Sequence, residues 1–120
     1  MKPKIDKTKF GSITIAGEKY EKDVLIRLNG KVDKRKKKLS KEVYGTSHTI
    51  SLAEAEYVFV DGAKWILIGT GRTGMAKLSP EAVQFFQQQD CQTILLPTPE
   101  AIRCWNEKDG EGIGLFHITC

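Results

Sequence analysis

Residues 65–101 read WILIGTGRTGMAKLSPEAVQFFQQQDCQTILLPTPEA. Two short apolar runs, Trp65–Ile68 and Ile94–Leu96, are each bounded by breakers. Such runs suit strands buried on both faces, as in parallel sheets. Each is followed by a helix-start signal: Ser79-Pro80-Glu81-Ala82-Val83 and Thr98-Pro99-Glu100-Ala101-Ile102. Both place a hydroxyl cap before Pro at the first helical position and an acid in the first turn. The order strand, helix, strand, helix with short connections predicts a parallel pair joined by a right-handed crossover over Pro80 to about Gln89. An α/β fold follows.

Working downstream, a second helix from Pro99 to about Lys108 sets Ala101, Ile102 and Trp105 against the sheet. Asp109-Gly110-Glu111-Gly112 reads as a turn, and Ile113–Thr119, apolar on both faces, as a central strand. Upstream, Phe10, Ile13 and Ile15 carry the apolar content of a first strand, with Gly17-Glu18 as a turn. Val24–Leu28 is rich in strand formers, and Asn29-Gly30 is a hairpin signal. Val32 alone supplies apolar weight afterwards, so the next strand is short or on an edge. The N-terminal third reads as an antiparallel meander. Ser51-Leu52-Ala53-Glu54 is a capping-box pattern. It opens a helix whose apolar spacing uses Leu52, Ala55 and Val58 or Phe59, with Asp61-Gly62 ending it.

The length of 120 residues suits one domain, 1–120, with a real core. A hydrophobic content of 40% and a charged content of 28% are ordinary for a globular protein. No apolar run approaches the ~18 residues of a membrane span, and no secretory or transit pattern opens the chain. A cytoplasmic protein without membrane attachment is expected. Cys91, Cys104 and Cys120 are an odd count without close pairing. They give neither a disulfide scaffold nor zinc-type spacing, so reduced thiols are expected.

The net charge of +4 is unevenly spread. Residues 31–41, KVDKRKKKLSK, set a lysine run and Arg35 against the single Asp33. Five like charges in a row, Lys34, Arg35, Lys36, Lys37 and Lys38, resist burial and predict a solvated edge. A phosphate-binding strip is the alternative. The segment lacks the interleaved aromatics of single-strand binders, so nucleic acid ranks last among the partners considered.

Gly69-Thr70-Gly71-Arg72-Thr73-Gly74 matches G-x-G-x-x-G after a strand. In a dinucleotide fold the helix opens inside that glycine turn. Here the helix signal comes only at Ser79-Pro80, and no acid closes the next strand. The plain reading is a turn that lets the backbone pass close to its neighbours. A weaker form places a small-ligand or anion site at the carboxyl edge of the parallel strands, using Gly69, Thr70, Gly71, Arg72 and Gly74. Thr98 at a helix start and His48 would complete it. His117 and Cys120, three apart on a strand, point to opposite faces and make a poor metal pair. No catalytic residue, metal or cofactor is indicated, and the balance leans away from an enzyme.

The same residues carry a family resemblance. It rests on Ser40-Lys41 after the basic run, Tyr44-Gly45-Thr46-Ser47-His48, Ile68-Gly69-Thr70-Gly71, Pro97-Thr98 with Glu100-Ala101-Ile102, Trp105-Asn106-Glu107, and the ending His117-Ile118-Thr119-Cys120. Their order and spacing resemble the adipogenesis-associated, Mth-nine-three-eight-type domain family over almost the whole chain. The resemblance implies a three-layer α/β domain with a mixed central sheet. It also implies relatives that include a cytosolic protein tied to adipocyte differentiation and a mitochondrial complex I assembly factor. It supplies no catalytic residue or cofactor. The family's tyrosine before the asparagine is Trp105 here, and the prototype's cysteine after Pro-Thr is Pro99. A protein-binding or assembly module is the function expected first, a small-molecule or anion-binding protein or enzyme second, and a weak nucleic-acid binder third.

Overall fold

Trp65–Thr70 and Gln92–Leu96 are adjacent parallel strands, and the helix Pro80–Gln88 is their crossover. The computed structural model describes residues 2–119. Its elements begin β1 (Ile5–Lys9), β2 (Ser12–Ile15), β3 (Glu18–Tyr20), β4 (Val24–Ile26), β5 (Val32–Lys34) and α1 (Lys38–Tyr44). They continue β6 (Thr49–Ile50), α2 (Leu52–Val58), β7 (Trp65–Thr70), β8 (Lys77–Leu78) and α3 (Pro80–Gln88). The last are β9 (Gln92–Leu96), α4 (Thr98–Glu107) and β10 (Gly112–His117).

The main sheet is mixed, in the order β5-β4-β10-β7-β9. Strand β10 is its centre, parallel to β7 and antiparallel to β4. Side chains alternate across it because successive strand residues face opposite sides. Ile66, Ile68, Ile113, Leu115 and Leu25 point to one core, shared with Ala55 and Val58 of α2 and Ala82 and Phe86 of α3. Trp65, Leu67, Phe116, Val24 and Ile26 point to the other. That second core is closed by Ala101 and Trp105 of α4 and by Ile5, Ile13 and Ile15 of the antiparallel sheet β1-β2-β3. The result is three layers: helices, mixed sheet, and a layer combining α4 with the N-terminal meander.

Two bulky indoles fit here because β10 presents glycines beneath them. A Cβ on Gly112 would lie 2.2 Å from the Trp65 ring, and one on Gly114 would lie 3.0 Å from Trp105. The two indoles meet edge to face, with centroids 5.6 Å apart.

Several expectations need correction. Phe10 is not a core strand residue: it sits in the turn between β1 and β2 and is 68% exposed. The apolar partner of β2 is Ile5, whose strand is otherwise polar (IDKTK) and carries little periodic signal. Strand β9 is not buried on both faces; it is an edge, and Leu95 is 37% exposed. Helix α2 ends at Val58, and Gly62 serves a later turn with φ +99°. Helix α1 was not expected at all, since its sequence KLSKEVY has no side-chain N-cap and a single buried residue, Ser40.

Candidate functional site

The carboxyl ends of β7, β9 and β10 lie along one edge of the main sheet, as parallel pairing requires. Strand β4 runs the other way, and Val24 pairs with Phe116, so Asp23 arrives at the end of β10. Strand β5 reverses again, and Val24 also pairs with Lys34, which brings Arg35 to the same edge. Topology thus gathers groups that are far apart in the chain.

Arg35 is the hub. It is 3% exposed. Its Nε and Nη2 donate to the two oxygens of Glu54 at 2.6 and 3.0 Å. Its Nη1 donates to Asp23 Oδ2 at 3.0 Å, and Nη2 also donates to the Ser47 carbonyl at 2.8 Å. A planar guanidinium serves two carboxylates and a carbonyl at once; an ammonium does not match that geometry. The solvated-edge reading of residues 34–38 is therefore wrong at Arg35, because it treated five cations as equivalent. Lys34, Lys36 and Lys38 are exposed as expected, and Lys37 is half-buried with its Nζ 3.6 Å from Asp23.

Glu54 explains the departure from the capping box. Ser51 accepts from the Glu54 N–H at 3.1 Å, the expected half of the box. The Glu54 carboxylate does not turn back to Ser51. It takes Arg35 and the Ser40 hydroxyl, at 2.5 Å, while the Ser51 N–H donates to Ser40 Oγ at 3.0 Å.

On the other side of the hub, His117 Nδ1 lies 2.7 Å from Asp23 Oδ2. A carboxylate only accepts, so Nδ1 carries the proton. In the neutral ring Nε2 is then the acceptor facing Thr119 Oγ1 at 3.4 Å. The His48 ring stands edge-on to His117, 5.2 Å between centroids. Ile118 N–H donates to the second Asp23 oxygen at 3.0 Å. Burial by itself would raise the Asp23 carboxyl, but the bonds from His117 and Ile118 and the charge of Arg35 outweigh it and lower it from 3.8 to about 2.

The sign of the stability effect follows. Asp23 is depressed in the folded state, so its contribution is fully present above pH 3.8 and is lost as pH falls toward about 2. The size is about 2 kcal/mol. An Asp23→Asn variant should show a flatter acid limb in urea midpoints across that window. Equal acid limbs in the two proteins would overturn the assignment.

Thr98 does not cap α4. The helix begins at Thr98 with Pro97 before it, and no side-chain cap bond forms. The Thr98 hydroxyl, fully buried, instead accepts from the Gly71 N–H at 2.9 Å and donates to the His117 carbonyl at 2.6 Å. Thr98 N–H donates to the Gly71 carbonyl at 2.9 Å, and Gly74 N–H donates to the same oxygen at 3.3 Å. The amides of Gly71 and Gly74 are thus engaged within the protein. A Cβ on Gly69 would lie 2.8 Å from Phe116 and 3.0 Å from Thr98 Oγ1, which is the close-approach role expected of that turn. Thr70 is buried, Arg72 is exposed and His48 is half-buried. Of the expected site residues, Gly69, Gly71 and Thr98 come together, but as packing and hydrogen bonding around Thr98.

The reading from sequence held no sign of Asp23, and it suggested other roles for Arg35, Ser40, Glu54 and His117. Their signals are faint: a lone arginine inside a lysine run, and an acid directly ahead of Val24-Leu25-Ile26.

Above the buried hub opens a cleft of about 500 Å³ lined by residues 34–38, Lys41 and Tyr57. Lys36 Nζ and the Arg27 guanidinium lie over the Tyr57 ring at 4.8 and 5.0 Å. Among the described residues no cluster of metal-ligating type occurs. Cys91 and Cys104 are free thiols, and burial pushes Cys91 up to about 11. Cys120 lies outside the described residues, so its spacing from His117 is not placed.

A family model described as "Protein of unknown function (DUF498/DUF598)" matches residues 5–115. The chain belongs to this family. Among solved structures, a conserved hypothetical protein, PH1505 from Pyrococcus horikoshii, is 33% identical with a TM-score of 0.91, over 98% of this chain and 99% of that one. The structure titled MT938 is 29% identical with a TM-score of 0.84, over 98% and 99% of the two chains. A Mth938-like domain protein of Bordetella pertussis shares the fold at 14% identity and a TM-score of 0.68, over 97% of this chain and 85% of that one. The DUF498/DUF598 fold is the three-layer arrangement described above, and among its described residues here no helix is long and apolar enough to cross a membrane.

Proposed function

We propose that this domain is a binding and assembly module that receives an acidic segment of a protein partner in the cleft over Arg35. One observation carries the reading: exposed Lys34, Lys36, Lys38 and Lys41 ring a cleft of about 500 Å³. The floor, Arg35, is pinned by two carboxylates, so the cleft is held in shape before any ligand arrives. Preorganisation of this kind lowers the ordering cost of binding. Helix α1 also exposes Val43 (62%) and Tyr44 (39%), apolar surface that suits a protein partner. The assembly factor among the relatives implied by the family resemblance supports the same direction.

Nucleic acid is disfavoured because Tyr57, the one aromatic among the described residues lining the cleft, already carries two cations on its ring. The glycine loop is the lesser site for a small anion because its Gly71 and Gly74 amides are spent internally.

The test is a titration with an Asp/Glu-rich peptide followed by amide resonances of residues 34–41. Saturable shifts are expected there, weakening with salt. A combined Lys36→Ala, Lys38→Ala, Lys41→Ala variant should lower affinity about tenfold or more. Tighter binding of a matched single-stranded oligonucleotide at the same salt, or shifts confined to Gly69–Gly74, would overturn the reading.

A further inference from the structure

The edges of the two larger sheets are not alike. Strands β1 (IDKTK) and β3 (EKY) edge the three-stranded sheet, and β5 (VDK) edges the main sheet; all three carry charge. Strand β9 at the opposite edge reads QTILL and carries none. Charges, above all lysines, are how sheet edges avoid pairing with other chains. The device is present at three edges and missing at one.

The backbone of β9 is presented for pairing. Gln92 N–H donates to the Lys64 carbonyl at 3.0 Å, so Gln92 faces β7. Strand residues alternate, so the N–H and C=O groups of Thr93 and Leu95 point away from β7, where the sheet order ends. Leu95 is 37% exposed, and Ile94 and Leu96 are half-buried.

We infer that β9 is a self-association edge, where a second copy of this chain adds its own β9 antiparallel and continues the sheet. The occupant follows from symmetry and charge. With a two-fold axis at Ile94, Thr93 lies opposite Leu95 of the second copy, and each such pair exchanges both N–H···O bonds. Each copy carries a net charge of +4, so approach is disfavoured wherever lysines face each other. Strand β9 carries no charge, so pairing two copies there sets no like charges opposite each other within the strand pair. The inference is independent of the acidic-ligand cleft, and salt separates the two: screening strengthens association between like-charged copies and weakens binding of an acidic peptide.

The test is sedimentation equilibrium of the full chain from low micromolar to submillimolar concentration, paired with amide hydrogen exchange. A dimer that strengthens with salt is expected, with the Thr93 and Leu95 amides gaining protection as concentration rises. Leu95→Lys should weaken association about tenfold or more. Thr93→Pro removes an outward N–H that no internal ladder bond uses, and should act alike. A chain that stays monomeric throughout would overturn the inference. So would a dimer in which the Thr93 and Leu95 amides of the unmodified protein gain no protection, whatever the variants do.

Discussion

Replacing Arg35 with methionine should destabilise the fold by about 3–5 kcal/mol, the cost of breaking a buried ion pair by removing one partner. The side chains of Glu54 and Asp23 are 0% and 1% exposed, so neither carboxylate recovers water when the guanidinium goes. Urea unfolding at neutral pH reads the loss, with the buried indoles of Trp65 and Trp105 as probes. Lys36→Met is the control. That lysine is exposed, and losing its place over the Tyr57 ring should cost no more than about 1 kcal/mol. Arg35→Lys should rescue little, because one ammonium cannot reproduce the fork on Glu54 and the bond to Asp23 together. Adding Glu54→Gln to Arg35→Met should regain stability, since it removes one uncompensated buried charge. If Arg35→Met and Lys36→Met behaved alike, the hub would not be buried as described.

Thr98→Val should cost about 1–3 kcal/mol for each of two orphaned groups, the Gly71 N–H and the His117 carbonyl. Valine keeps the shape and deletes both bonds made by the Thr98 hydroxyl. Thr98→Ser keeps the hydroxyl and should retain most of the stability. Hydrogen exchange at Gly71 should accelerate in the valine variant and change little in the serine variant. A valine variant as stable as the unmodified protein, beside a destabilised serine variant, would mean that the methyl contact, and not the hydroxyl, holds β7, β10 and α4 together at this edge.

Much of the fold was legible because it depends on local and periodic signals. Trp65–Ile68 and Ile94–Leu96 with the Ser79-capped helix between them specify a crossover, and Asn29-Gly30 specifies a hairpin between β4 and β5. What failed did so for physical reasons. Strand β1 has one buried residue, Ile5, in a polar run, so its pairing is decided by the partner strand and by α4. Helix α1 is held through Ser40 and its place against α2, contacts between segments that no local pattern announces.

The candidate site was less legible than the fold. The chain itself determined that the strand from Trp65 ends in a glycine turn, that helices begin near residues 51, 80 and 98, and that the positive charge collects between Lys31 and Lys41. Only the tertiary structure decided which cation goes inside. Strands β4 and β5 reverse direction beside β10 and carry Asp23 and Arg35 to the edge where α2 delivers Glu54. In a linear reading Arg35 is one charge among five, Glu54 half of a capping box and Thr98 a helix cap. Desolvation separates these roles: a buried group must find partners from wherever the fold supplies them, and here they come from residues 12 to 95 positions away.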